Sequence, residues 1–252
     1  MRGRALPRPR VLATCAMLLS GACAGRGTAM AGLPAGYRCV PFHDAAYRGG
    51  PQRIPGRVQS EYYDMLDVPD AQKASGAEEG LCYHDSDNKN SGSGPGALNG
   101  VGSYLNELRM FESADISYTK LHRTGAAIDD SPYNLTAPDS NSAYLGWIAP
   151  GEWVNYTVHV AEPGFYSLGA LYTSKFGGHI SLDVNGKDVT GPLAIPATFA
   201  AADTIEWRQA HHWNRVSGLG RFHLSAGTQV LTLHFIDQPV LNFDYLEFTR
   251  VP

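Results

Sequence analysis

Long apolar runs, clustered basic residues and helix-period patterning are all missing from the body of this 252-residue chain, and each absence removes a class of protein. Beyond residue 31 no stretch is long and apolar enough to span a bilayer. No Lys/Arg cluster offers the positive stripe that a phosphate backbone requires, which excludes nucleic acid as a partner. The nine histidines form no His-x-x-His pair, and neither Gly-x-Ser-x-Gly nor Cys-x-x-Cys occurs, so zinc and activated-nucleophile signatures are lacking. The one adjacent pair, His211-His212, would point to opposite sides of an extended segment. There is no internal repeat and no βαβ alternation.

What is present begins with processing. Met1 to Arg10 carries four arginines and no acid, Val11 to Gly25 is a short apolar run, and Ala29-Met30-Ala31 supplies small residues at signal-peptidase spacing. This pattern predicts a signal peptide over residues 1–31 and a secreted or periplasmic product. Leu19 to Cys23 resembles a lipoprotein box with its leucine one place too far from the cysteine, which leaves lipid anchoring as the alternative. After cleavage 15 basic residues face 24 acidic ones, a net charge of −9, and a neutral or cationic partner suits that surface better than anionic lipid. Two of the four cysteines leave with the signal. Cys39 and Cys82 remain, an even pair bound for an oxidising compartment, and are predicted to be bonded, with two free thiols as the alternative.

Residues 32–53, rich in Gly, Pro and Arg, read as an exposed leader tied down mainly through Cys39. Residues 54–252 read as one folded domain. Val154, Tyr156, Val158 and Val160 recur at every second position and predict one face of a pleated strand. Pro163-Gly164 turns the chain, Phe165 to Thr173 is apolar on both faces, and Ile180, Leu182 and Val184 alternate up to Asn185-Gly186, a two-residue hairpin turn. Further strands are predicted at Arg57–Tyr63, Leu81–Tyr83, Ser113–Thr119, Leu193–Ile195, Phe222–Leu224, Val230–Ile236 and Phe243–Phe248. Three polar excursions, over 67–80, 120–142 and 197–212, interrupt them. About ten short strands without intervening helices predict an all-β fold, an antiparallel β-sandwich of jelly-roll topology.

Six segments, YHDSDNKNSG (83–92), ADISYT (114–119), LGWIAPGEWVNYTV (145–158), SLDVNGKDVTGP (181–192), AGTQVLTLHF (226–235) and NFDYLEF (242–248), occur in the order found in family 6 carbohydrate-binding modules. Over roughly residues 54–250 the chain resembles that family. The resemblance implies a sandwich that binds an oligosaccharide in a cleft at its loop edge, between a Tyr and a Trp ring with an Asn nearby. Asn242 stands where the family places that Asn. Arg109 and Asp115-Ile116 put Leu108 at the Tyr position, so Tyr104 is the nearest substitute ring. Trp213 and Val216 put Ala210 at the ligand-Trp position; Trp207 is then the replacement platform, and Trp213 matches a largely structural place. Trp147 and Trp153 read as packed residues of the scaffold. The family's structural calcium maps onto Gln59, Glu61 and Asp244, an oxygen set that a hard cation accepts although one carboxylate has become an amide. The alternative for Glu61 and Asp244 is a pair of hydrogen-bonded strand carboxylates.

The function implied is a secreted, non-catalytic protein recognising a polysaccharide or oligosaccharide by ring stacking and hydrogen bonds. An alternative is a secreted carbohydrate-active hydrolase or lyase, because Glu206, Trp207, Arg208, His211 and His212 crowd into one excursion and the many carboxylates offer pairs. A third is a cell-surface interaction protein. Asn134-Leu135-Thr136 and Asn155-Tyr156-Thr157 match the glycosylation triplet.

Overall fold

Alternation in the sequence becomes two stacked sheets. The computed structural model describes residues 32–87, 89–92, 104–120 and 128–252; the predicted signal peptide lies outside the described residues. Thirteen strands are found among them: β1 (Gln52–Ile54), β2 (Gly56–Gln59), β3 (Tyr83–His84), β4 (Ile116–Tyr118), β5 (Ala143–Ile148), β6 (Trp153–Val160), β7 (Gly164–Ser174), β8 (Gly178–Val184), β9 (Lys187–Asp188), β10 (Leu193–Ile195), β11 (Asn214–Leu224), β12 (Gly227–Phe235) and β13 (Leu241–Val251). One sheet runs β1-β6-β12-β8-β10, with β3 also on β6 and β9 on β8. The other runs β11-β7-β13-β5-β4, with β2 also on β13. All pairings are antiparallel except β1 with β6. The fold is the predicted β-sandwich.

The apolar set of β6, Val154, Tyr156, Val158 and Val160, is buried and packs into one core with Leu168, Ala170, Ile180, Leu182, Leu231, Leu233 and Phe243. Asn185 and Gly186 take φ values of 51° and 77°, the left-handed pair that a two-residue turn between twisted strands requires. Strand β11 is eight residues longer at its N-terminal end than the predicted Phe222–Leu224. Most of that extension is exposed and its pairing with β7 shifts register twice, so the period-2 signal is lost. Arg57–Tyr63 likewise splits into β2 and a 3-10 turn, Ser60–Tyr62.

Residues 32–53 are held by more than the Cys39–Cys82 disulfide, whose Cα atoms lie 5.7 Å apart. The Tyr37 hydroxyl donates to the buried Asp64 carboxylate. Val40 and Met65 exchange backbone hydrogen bonds of 2.8 and 2.9 Å. Phe42 stacks on Tyr62 with ring centroids 5.3 Å apart, and the Arg109 guanidinium lies 3.3 Å from the Tyr63 centroid and 4.8 Å from that of Phe42. The leader thus shares the core of the sandwich.

Three short connections join the sheets at one end: 149–152 between β5 and β6, 175–177 between β7 and β8, and 236–240 between β12 and β13. Ile148, Ser174 and Leu241 meet there. The excursion between β10 and β11 rises from the same end, because Ile195 pairs with Gly178 and Asn214 with Tyr172.

Candidate functional site

At this end the excursion after β10 folds into a 3-10 helix, Glu206–His211. Its seat is the side chain of Asn242, near the start of β13 and only 4 % exposed. The Asn242 Nδ2 group donates to the Ala210 carbonyl at 2.7 Å and to Thr173 Oγ1 at 2.9 Å. Thr173 Oγ1 donates in turn to the same carbonyl at 2.6 Å. On its other side Asn242 Oδ1 accepts from the Trp147 backbone N–H at 3.1 Å. Trp147 carries φ 50°, a conformation that bulky residues avoid and that persists where neighbours fix it. Space beside it is tight at Gly146, where a Cβ would stand 3.0 Å from Asn242 Oδ1.

Two carboxylates brace the helix from below. Asp129 accepts from Trp213 Nε1 at 2.8 Å and from the Lys120 N–H at 2.7 Å, and faces His211 Nδ1 at 3.2 Å. Burial pushes its pKa up, but the hydrogen bonds from His211 and Trp213 outweigh that and hold it below the usual carboxylate value. Asp203 takes a forked contact from Arg208, 2.7 and 2.8 Å, and faces His212 Nε2 at 2.7 Å. The Arg208 hydrogen bonds keep it well below the ordinary range. Glu206 pairs with Lys175. The charged residues that crowd this excursion are thus engaged with one another and with Asp129 and Lys175.

The candidate rings separate sharply. Trp207 is 50 % exposed and meets His211 edge-on, centroids 5.9 Å apart. Trp213 is fully buried and packs edge-on against Tyr144 at 5.2 Å. Leu108 is buried. Tyr104 opens a one-turn helix, Tyr104–Glu107, and its side chain lies outside the described residues. Trp147 and Trp153, assigned to packing from the sequence, are both partly exposed at this end. Beside Trp147, Gly146 is a glycine inside a strand, a sequence signal of close backbone approach.

Gln59, Glu61 and Asp244 come together where β2 meets β13, with Gln59 in register with Tyr245. Gln59 Oε1, Glu61 Oε2 and Asp244 Oδ2 are each buried without a hydrogen-bond partner. Burial, then the nearby Asp244, pushes Glu61 far up, while burial raises Asp244 to about 6. Three buried oxygens left without partners at one strand junction are of the hard-donor type that a cation such as calcium accepts. Only two are carboxylates, and among the described residues no group of three or more His, Cys, Asp or Glu is gathered as a metal site.

The family model described as carbohydrate binding module (family 6) matches residues 125–250, half of the chain. The chain belongs to this family. Among solved structures, a family 6 module from Clostridium stercorarium in complex with cellobiose is 14 % identical with a TM-score of 0.44, the match covering 81 % of this chain and 99 % of that one. A β-1,3-glucan-binding family 6 module from Bacillus halodurans is 26 % identical, with a TM-score of 0.36 and coverages of 46 % and 82 %. A module from Cellvibrio mixtus lichenase 5A in complex with cellotriose is 20 % identical, with a TM-score of 0.36 and coverages of 46 % and 84 %. No curated protein matches the chain. The module's match begins after β4, so β1 to β4, which complete both sheets, lie ahead of the matched segment. Among the described residues no helix is long and apolar enough to cross a membrane.

Proposed function

We propose that the protein is a secreted, non-catalytic binder of a polysaccharide or oligosaccharide, held at the loop edge over the Asn242 frame. The half-exposed Trp207 on a rigid seat is the observation that carries this reading, joined to family membership. A pyranose has an apolar C–H face that covers an indole, and its hydroxyls need a few fixed polar partners at the ring edge. Trp207 supplies one platform. Trp147, whose backbone the same amide holds, supplies a second. Asn242 fixes both segments with its amide protons directed to protein oxygens. Binding without chemistry is supported by Asp129, Asp203 and Glu206, whose carboxylates are occupied by cations and N–H donors.

Calcium belongs to the proposal. Gln59, Glu61 and Asp244 would hold it, and the ion would add positive charge at the two buried carboxylates beyond that of Arg109 near Glu61 and Arg57 near Asp244. Secretion is proposed from the basic, apolar and small-residue order of residues 1–31.

The test is a panel of soluble and insoluble glycans, scored for retention in affinity electrophoresis and for release of reducing ends. Retention that disappears in Trp207→Ala, with no product released, is the expected result. Catalytic turnover would overturn the reading in favour of a hydrolase or lyase, and the absence of any glycan interaction would favour a protein-interaction role.

A further inference from the structure

Among the described residues Trp207 is one of three rings at this end that are half exposed or more. Phe176, in the β7–β8 turn, is 58 % exposed and Phe199, in the excursion, 53 %. Single exposed apolar residues need no explanation, whereas a contiguous apolar patch marks a contact surface. The three rings stand on one hydrogen-bonded frame. The Thr198 N–H donates to the Ser174 carbonyl at 2.7 Å, and the Ser174 N–H to Thr198 Oγ1 at 3.0 Å, two residues from Phe176 and one from Phe199. Gly177 sits so close to this segment that a Cβ would stand 2.9 Å from the Ile195 carbonyl. The buried Gln209 then locks the excursion onto the helix of Trp207: its Nε2 donates to the Ala200 and Asp203 carbonyls, both at 2.9 Å, and its Oε1 accepts from the Ala200 N–H at 3.0 Å.

We propose that Phe176, Phe199 and Trp207 form a single aromatic strip that adheres to the C–H face of packed chains in an insoluble polysaccharide. This rests on the carbohydrate-binding reading and deepens it, because a single ring serves one sugar whereas three fixed rings serve a solid with repeating apolar faces. Charge selects this occupant over an anionic membrane. The cations around the strip are paired, Lys175 with Glu206 and Arg208 with Asp203, and the net charge of the chain is −4, whereas anionic lipid is drawn by unpaired basic clusters. Lys175 Nζ also lies 5.0 Å from the Phe176 centroid, so this cation is engaged by both Glu206 and the ring.

The experiment uses the full chain and its Phe176→Ala/Phe199→Ala variant, with depletion onto microcrystalline cellulose and insoluble chitin. Calorimetric titration with the soluble oligosaccharides of both polymers and thermal melting serve as companions. A loss of about tenfold or more in partitioning onto the solid is expected in the double variant, with unchanged affinity for the soluble sugar and unchanged melting temperature. Equal partitioning of the two proteins overturns the strip. So does a chain that binds soluble oligosaccharide through Trp207 yet is retained by neither solid, and in that case the site reading survives. Failure to bind any sugar, soluble or solid, removes both. Retention on phosphatidylglycerol vesicles that the double variant loses, or a dimer in sedimentation that the double variant dissolves, assigns the strip to a membrane or to a second copy and overturns the proposal.

Discussion

One amide joins two tryptophan-bearing segments: Asn242 donates from Nδ2 to the Ala210 carbonyl at 2.7 Å and accepts at Oδ1 from the Trp147 N–H at 3.1 Å. The side chain of Asn242 is thus committed to the backbone of two other segments.

Asn242→Ala removes donors to a partly buried carbonyl and the acceptor of the Trp147 N–H. A stability loss of about 2–3 kcal/mol is expected in chemical denaturation, together with the loss of glycan retention. Asn242→Asp should share both defects, since a carboxylate cannot donate to Ala210. Retention lost with stability intact would assign the amide to the sugar instead.

Trp207→Ala and Trp213→Ala should behave as opposites. The exposed Trp207 is expected to change stability by less than about 0.5 kcal/mol while abolishing retention. The fully buried Trp213, packed on Tyr144 and donating to Asp129, should cost about 3–5 kcal/mol and act on binding only through folding. Urea midpoints for the two variants check the contrast.

The metal prediction follows from burial. In the metal-free protein Asp244 titrates at about 6, above its ordinary 3.8. A raised carboxyl contributes stability that is fully present below about pH 4 and is lost as pH rises through about 6. The proposed calcium would take the place of the proton, so the rise in melting temperature on adding calcium to EDTA-treated protein should grow from pH 5 to pH 7.5. Asp244→Asn should melt no lower than the metal-free wild type and should ignore calcium. A wild type indifferent to EDTA at every pH removes the ion.

Asp129 and Asp203 run the other way. Both are depressed by their hydrogen bonds, so their contribution is present above about pH 4 and is lost as pH falls below it. Retention on an insoluble glycan should therefore be flat from pH 5 to 8 and fall in acid, with a change in tryptophan emission as His211 and Trp213 lose their partner. Asp129→Asn, which weakens the pull on His211, should show the weakened retention already at neutral pH.

Reducing the Cys39–Cys82 bridge frees a loop with a sequence separation of 43. In the chain-entropy model that costs roughly 4 kcal/mol. Cys39→Ser/Cys82→Ser should lower the denaturation midpoint accordingly, and the leader's contacts to Asp64, Met65 and Tyr62 should keep it docked, measured as slow amide exchange at Val40.

Most of the sandwich was legible in the sequence because burial on one face writes a period of two. Val154 to Val160 and Ile180 to Leu182 show it, and Asn185-Gly186 named its own turn. Edge strand β11 was not, since an exposed ladder with glycines at 218 and 220 has no apolar face to advertise. In the site, Trp207 stood out because a tryptophan amid polar residues lacks a core to join. The direction of the Asn242 amide was hidden: it depends on Thr173 and Ala210, 69 and 32 positions away, and no local pattern encodes a contact of that range. Trp147 reads from the sequence as packed, whereas in the structure it is partly exposed and sits on a left-handed backbone position within an apolar strand.

The early strands decide how this protein can be cut. A fragment beginning at residue 125, where the family match starts, would lose β1 and β3 from β6, β4 from β5 and β2 from β13. Each deletion bares a row of unpaired N–H and C=O groups on a long strand, and such edges recruit other chains. A trimmed domain used as a tag or a crystallisation target should therefore precipitate, whereas one starting at Gly32 keeps β5, β6 and β13 paired with these early strands.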